Sequence, residues 1–395
     1  MKRWPSKSLG ELVDFIGGGT PRRDRPDYWN GDIPWASVKD LQSQSLETTL
    51  ENITADGLAD SASNLIPKGT VIIASRVGLG KVAINRKPVA INQDLKALTL
   101  RSCNLLPRYL LLFLLSKADY FEQAGVGATV KGLTIADYQK LNIVLPPLAE
   151  QERIVKLLDE ADELRRLRAQ ADRCTADLIP SLFHEMFGDL AEKVKVWPCV
   201  QLVALCHAPD DIKCGPFGTQ LSKSEYTEEG VPLWGIKNVN ALFELPTHEF
   251  LTPSTAKRLI QYSIEPCDIV MTRKGTVGNC AVYPEGFPFG IMHSDLLRLR
   301  VSREKCEPVF LAHQLHYSGY VARQLTQISG GAVMPGINVT KLKSLRVLAP
   351  PLAQQKLFAA RVSEIRAMQA EQATSRRRLD DLFHSMLHRA FQGQL

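Results

Sequence analysis

Short β-branched runs dominate two stretches of the chain, and a long amphipathic run follows each of them. GTVIIASRV (69–77) and CDIVMTRKG (267–275) are bounded by Gly or Pro and predict strands. PRYLLLFLLSKADYFEQ (107–123) and PVFLAHQLHYSGYVARQL (308–325) have helical length and spacing, each opened by a proline suited to a first turn. A Gly-rich loop follows each, GVGATVKG or SGGAVMPG, and then a capping residue, Thr134 with Asp137 or Asn338, predicts another short helix. The most apolar run, LLLFLL at 110–115, is far below the roughly 20 residues that span a bilayer, so it predicts a buried helix.

The amphipathic runs are different in kind. Ile154, Leu157, Ala161, Leu164, Ala171, Leu178 and Leu182 recur at spacings of three to four or seven, as do Phe358, Val362, Ile365, Leu379, Phe383 and Met386 at wider intervals. Such partial heptads predict two long helices that bury their stripes against each other as a coiled coil. Arg168, Thr175 and Gln372 interrupt the seam with polar groups that would favour one register. Pro180 predicts a kink or a division of the first helix.

These elements occur twice because the chain is a tandem repeat. IVLPPLAEQERIV (143–155) is echoed by VLAPPLAQQKLFA from Val347, and Pro146 and Pro350 lie 204 positions apart. SLFHEMFGDL (181–190) is echoed by DLFHSMLHRAF (381–391), with His184 and His384 separated by 200. The second arm is thus four residues shorter, close to one helical turn, which keeps its stripe facing the same way. Trp4-Pro5 is echoed by Trp197-Pro198, GGGTPRR (17–23) by GPFGTQL (215–221), and IPWASVKDL (33–41) by VPLWGIKNV (231–239). ASRVGLGKVAI (74–84) is echoed by MTRKGTVGNCAV (271–282). The bodies diverge while the tails agree, as expected for one scaffold doing two related jobs.

The bulk numbers narrow the function classes only a little. A chain of 395 residues has room for two or three domains, and the net charge of +6 hints at a polyanionic partner. MKRWPSKSLG has no apolar core behind its basic residues and does not read as a secretory signal. Eight scattered cysteines without a CxxC pair point to the reducing cytoplasm. Cys199, Cys206, His207 and Cys214 crowd together, but at no familiar zinc spacing.

Catalytic motifs fail on inspection. A Pro-Pro pair after an apolar run invites comparison with the [DNS]-P-P-[YFW] loop of amino methyltransferases. Here the flanks are Leu145 and Leu148, then Ala349 and Leu352, with neither a donor–acceptor group nor a stacking ring. The prolines instead force an extended residue and start a helix. GLGK (78–81) lacks the first Gly and the following Ser or Thr of a phosphate loop, since Ser75 and Val82 occupy those places. His184 and His384 read as interface or surface residues. No catalytic or metal-binding residue is assigned.

What remains is a set of basic and small polar residues at predicted turns. The first body offers Thr20, Arg22, Arg23 and Arg25, then Ser37 and Lys39, then Arg76, Lys81 and Lys131. The second offers Thr219, Gln220 and Lys223, then Lys237 and Asn238, then Arg273, Lys274 and Thr276. Arg and Lys can meet guanine edges or phosphates, Asn and Gln can read adenine, and neighbouring glycines would let a loop approach a phosphate backbone. Single residues of this kind are usually solvated surface. Their recurrence at equivalent places in both copies predicts nucleic-acid contact.

The duplicated helix start, Pro146-Pro147-Leu148-Ala149-Glu150-Gln151 and Pro350-Pro351-Leu352-Ala353-Gln354-Gln355, the endings LFHEMFGD and LFHSMLHRAFQGQL, the Trp-Pro starts and the IPW-x-S-V-K-D-L run together resemble the specificity subunit of type I restriction–modification systems. The resemblance covers essentially the whole chain. It implies an α+β protein, a pseudo-two-fold tandem repeat of two mixed α/β target recognition domains (1–145 and 191–349). Two long spacer helices (146–190 and 350–395) would form an antiparallel coiled coil. It implies a non-catalytic DNA-binding subunit whose recognition domains each read half of an asymmetric bipartite site in double-stranded DNA. Partners would be two adenine-methyltransferase subunits and two translocase–endonuclease subunits. S-adenosylmethionine, ATP and Mg would belong to those partners, with no cofactor on this chain and no membrane. The base-reading residues are not marked by any family motif. Gln220 standing where the first copy has Pro21 fits two different half-sites. About 37 helical residues give an arm of about 55 Å, or roughly 16 base pairs. Two alternatives compete: a structural coiled-coil protein with protein-binding heads, and a self-contained DNA methyltransferase or nuclease.

Overall fold

The computed structural model describes residues 4–125, 132–188, 196–274, 278–329 and 337–395. They form two units, Met1–Ala171 with Gln372–Leu395 and Asp172–Glu371.

In the first unit a five-stranded sheet runs in the order Val13–Gly17, Leu95–Leu100, Val71–Ala74, Val82–Asn85 and Ser45–Leu46. A four-stranded sheet runs Glu51–Ile53, Trp29–Ala36, Val89–Ile91 and Leu65–Ile66. Val71–Ala74 is buried on both faces, which accounts for its unbroken apolar run. The helix Pro107–Leu115 packs on Val71–Ala74 and Val82–Asn85, with Tyr109 to Leu114 all buried. It is the buried helix that LLLFLL predicted. A short antiparallel pair, Ser6–Ser8 with Asn142–Val144, draws the start of the body to its end.

The second unit repeats this plan. One sheet runs Ile212–Cys214, Leu296–Leu299, Ile269–Thr272 and Cys280–Val282. The other runs Tyr226–Thr227, Phe250–Leu251, Val231–Trp234, Gly290–Met292 and Ser263–Ile264. Each unit has a parallel pairing at the corresponding place, Trp35 opposite Ala90 and Leu233 opposite Ile291. Cys199–Gln201 pairs with Arg346–Leu348 as Ser6–Ser8 does with Asn142–Val144.

Both long helices cross from one unit into the other, so each unit contains a piece of each. In the first unit Ile154, Leu158 and Ala161 of Leu148–Ala176 share a core with Phe383, Leu387 and Ala390 of Leu352–Ala390. The pieces run antiparallel: Arg153 donates to the Leu395 carbonyl at 2.9 Å, while Arg165 meets Asp380 at 2.7 Å. In the second unit Leu182, Phe183 and Phe187 pack with Phe358 and Val362, and Gln369 donates to the Thr175 carbonyl at 2.9 Å. The tail that ends one repeat therefore closes the core of the other repeat's body, which explains why LFH is written twice. His184 and His384 are exposed beside these phenylalanines.

The expected seam needs correction at two positions. Leu158 is buried in place of Leu157, and Leu164 is 53% exposed. Arg165 takes the inward place, its guanidinium 4.4 Å from the centre of the Phe383 ring and ion-paired with Asp380. There it stacks on the ring and pairs with the carboxylate at once. The first helix divides at Asp177, and a second helix runs Leu178–Phe187. Pro180 lies in that first turn, where it has no N–H for the Ala176 carbonyl and its ring would clash with it.

Candidate nucleic-acid interface

Three segments of the first unit are hydrogen-bonded to Ile91–Asp94, where strand Val89–Ile91 turns towards Leu95–Leu100, and a fourth joins them through Ser75. Gly19 donates to the Ile91 carbonyl at 3.0 Å, and a Cβ on Gly18 would lie 2.1 Å from that same oxygen. Asn92 N–H donates to Ala36 at 3.0 Å, and Ser75 donates to the Asp94 carbonyl through both N–H (2.8 Å) and hydroxyl (3.1 Å). Leu133 in turn donates to Ser75 at 2.9 Å. Thr20, Lys39, Arg76 and their loops thus gather on one side of the unit. Gly18 and Gly19 serve close contact between their loop and the body itself.

The arginines of the front loop are already engaged. Arg22 pairs with Asp24 at 2.9 Å, Arg25 with Asp27 at 2.7 Å, and Arg23 with Glu51, with Nη2 at 2.9 Å. Arg23 also lies 3.7 Å over the Trp29 ring. The hydrogen bonds from these arginines hold Asp24, Asp27 and Glu51 below the usual carboxylate range. A phosphate would have to compete with those carboxylates, whereas Lys39 and Lys81 are exposed. Ser37 accepts Lys39 N–H at 3.3 Å and donates to Asp40 at 2.9 Å, shaping its turn. Arg76 faces Asp94 at 3.9 Å.

The second unit builds the same cluster with other side chains. A Cβ on Gly215 would lie 2.1 Å from the His293 carbonyl, His293 donates to Trp234 at 2.8 Å, and Arg273 N–H donates to Asp295 at 2.8 Å. Ile337 donates to Arg273 at 3.4 Å. Lys274 pairs with Asp295 at 2.9 Å, as Arg76 faces Asp94. Arg273 lies 5.4 Å from the Phe217 ring, and its Nε donates to Ile337. Thr219, Lys223 and Lys237 are exposed.

Two expected readers are spent inside the fold. Asn238 is buried: its Oδ1 accepts Gly235 N–H at 3.1 Å and its Nδ2 donates to Leu245 and Pro246. The Gln220 side-chain Oε1 accepts from Phe217 N–H at 3.1 Å and Tyr262 hydroxyl at 2.8 Å. Neither fits the adenine-reading role its residue type suggested. Lys131 and Thr276 lie outside the described residues. The sequence reading missed Gln93, Asp94 and Lys96, and likewise His293, Ser294 and Asp295. The echo of AINQDLKAL in GIMHSDLLRL was the available signal. Burial, with Arg76 nearby, pushes the Lys96 ammonium below its ordinary value.

Among the described residues no group of three or more His, Cys, Asp or Glu has metal-holding geometry, and no helix is long and apolar enough to cross a membrane. Burial pushes the Cys206 thiol up to about 11 and Cys280 to about 12, so both are inert packing groups.

Sequence and structure comparisons agree on the relatives. The Type I restriction enzyme MjaIX specificity subunit of Methanocaldococcus jannaschii is 27% identical over 199 residues, 48% of this chain and 44% of that one. A 165-residue stretch is 33% identical to an Escherichia coli specificity subunit, covering 40% of this chain and 41% of the relative. The alignment with the Escherichia coli EcoKI specificity subunit covers 99% of this chain and 89% of that protein at 22% identity. This chain therefore spans under half the length of the first two relatives and most of the third. The fold is similar to a type I S subunit from M. genitalium (TM-score 0.55, 16% identity, 98% and 96% of the chains covered). It is also similar to a chain from a study of type I R-M complex assembly and conformational transition (TM-score 0.65, 19% identity, 100% and 99% covered). The family described as Type I restriction modification DNA specificity domain matches residues 1–171 and 214–376, more than half of the chain. A repeated two-sheet body, an arm exchanged between repeats and this match together establish that the chain belongs to the type I restriction–modification DNA specificity family.

Proposed function

We propose that this chain is the sequence-reading subunit of a type I restriction–modification complex, with residues 1–145 and 191–349 each recognising one half of an asymmetric bipartite site in double-stranded DNA. Residues 146–190 and 350–395 act as spacer arms. One observation carries the reading: two loop clusters share a backbone plan down to individual hydrogen bonds but differ in the side chains they present. Asn92-Gln93-Asp94 stands against His293-Ser294-Asp295, and Arg76 against Lys274. A constant frame with changed readers is what two different half-sites require.

Exposed apolar residues on the arms, Leu164 and Leu167 in the first unit and Leu357 in the second, favour docking of two adenine-methyltransferase subunits, with two translocase–endonuclease subunits joining them. Methyl transfer with S-adenosylmethionine, and ATP and Mg chemistry, fall to those partners, in the cytoplasm. The test is a pair of assays. Purified chain with labelled S-adenosylmethionine and duplex DNA is expected to transfer no methyl group, and addition of its methyltransferase is expected to produce salt-dependent duplex binding. Methyl transfer by the chain alone would overturn the assignment, as would failure of the assembled complex to bind any duplex. Deleting four residues from one arm is expected to change the gap between half-sites and leave both half-sites intact.

A further inference from the structure

The turn Asn92–Lys96 is anchored far more than a surface loop needs. Asn92 Oδ1 accepts Asp94 N–H at 3.1 Å, the Asp94 carbonyl accepts two bonds from Ser75, and Lys96 Nζ donates to the Gln93 carbonyl at 3.0 Å. The backbone around Gln93 is thereby fixed, yet the Gln93 side chain points outward and is exposed. Its one contact among the described residues is lateral: the Thr20 hydroxyl bonds the Gln93 amide oxygen. A hydroxyl can donate or accept, so in either orientation the amide keeps at least one N–H and one acceptor lone pair for an outside partner. A glutamine held this way matches the N7 acceptor and N6 donor of adenine in the major groove, a bidentate pairing that other bases cannot complete.

We propose that Gln93, oriented by Thr20, is a specificity-determining residue that reads one adenine in the half-site of the first unit; this rests on the DNA-binding function proposed above. The second unit carries Ser294 at the equivalent position, next to His293 whose Nδ1 accepts Asp295 N–H at 3.2 Å in place of the Asn92 carboxamide. A single hydroxyl cannot make the bidentate pairing, so the two half-sites differ at the corresponding base. Thr20 is a positioning residue, and its loss frees the amide without removing it.

The test uses the full chain co-expressed with the methyltransferase of its own system, with methylated motifs mapped across genomic DNA. Gln93→Ala is expected to relax one A·T position in one half-site, losing about 5- to 150-fold discrimination there. The other half-site of the same variant stays unchanged and reports that the protein is folded. Gln93→Glu is expected to shift preference at that position towards cytosine, whose N4 can donate to a carboxylate. Thr20→Val is expected to weaken the same position without altering its identity. If wild type gives a bipartite motif and Gln93→Ala gives the identical motif at equal efficiency, the assignment of Gln93 is wrong while the DNA-binding function stands. If both halves relax together, Gln93 has only a structural role. If wild type gives no motif, the DNA-binding reading fails and this one with it.

Discussion

The side-chain amide of Gln151 donates to the Pro146 carbonyl at 2.9 Å, tying the first turn of the arm helix to the first of the two prolines before it. The same Nε2 donates to Asn104 at 2.7 Å, and Oε1 accepts Leu106 N–H at 3.0 Å. Gln355 does likewise in the second unit, with Pro350 at 2.7 Å and Glu307 N–H at 3.0 Å. Both glutamines are fully or almost fully buried. The Pro-Pro-Leu-x-x-Gln phrase is therefore a latch: the prolines set the chain direction, and the glutamine fastens body to arm.

Replacing Gln151 by Ala strands the half-buried Leu106 N–H and the Asn104 and Pro146 carbonyls, at about 1–3 kcal/mol for each buried group left unsatisfied. We expect a loss of about 3 kcal/mol overall, read as a fall of about 6–12 °C in the first unit's unfolding transition. Hydrogen exchange should show Leu106 N–H deprotected. A variant with wild-type Tm and unchanged protection at Leu106 would refute the latch.

At the helix pair of the first unit, packing and charge make separable contributions. Phe383 is buried and its removal to Ala should cost about 3–5 kcal/mol. The Arg165–Asp380 pair is partly exposed and should be worth no more than about 1 kcal/mol. Denaturant titrations of Phe383→Ala and Arg165→Met test the ranking, and an Arg165→Met cost equal to that of Phe383→Ala would reverse it.

Much of this was legible in the sequence, and what was not has a common cause. The repeat shows by comparing the chain with itself, and the buried LLLFLL helix and the division near Pro180 depend on residues close together in the chain. The partners of Arg23 and Gln151 do not: Glu51 is 28 residues from Arg23, and Asn104 is 47 from Gln151. A row of arginines consequently looked free when its charge was already matched. Leu157 and Leu158 are adjacent and equally apolar, so periodicity alone could not choose between them, and the Arg165–Asp380 pairing decides. Asn238 has a fitting residue type for base reading, but its helix-capping duty appears only with the loop in place.

Acid should weaken the second unit through His313. Burial among the Phe358 and Tyr317 rings, with Arg366 and His316 nearby, pushes its imidazole down to about 4. Unfolded, the group takes a proton near its ordinary value of about 6.5. Between those values the unfolded state binds more protons, so stability rises with pH across about 4 to 6.5 and falls on acidification. The loss is complete below about 4 and amounts to roughly 3 kcal/mol. Chemical denaturation from pH 7 to 4 should show this slope, and His313→Leu should flatten it. An equal slope in the variant would remove His313 as its source.

Free and paired cations should contribute unequally to DNA binding. Among the described residues Lys39 and Lys81 face no carboxylate at pairing distance, whereas Arg22 is already bound to Asp24. Lys39→Ala with Lys81→Ala should lower the slope of log affinity against log salt by about 2. Arg22→Ala should change it by clearly less than one lysine. Fluorescence anisotropy across a salt series on the assembled complex measures both, and a larger effect from Arg22 would contradict the charge assignment.

Two bodies on one frame are expected to read two different sequences. Mapping methylated adenines in cells that express this chain with its methyltransferase tests it most directly. One motif with two unlike specific halves and an unspecified gap of fixed length between them is expected. A single contiguous motif, or two identical halves, would contradict it.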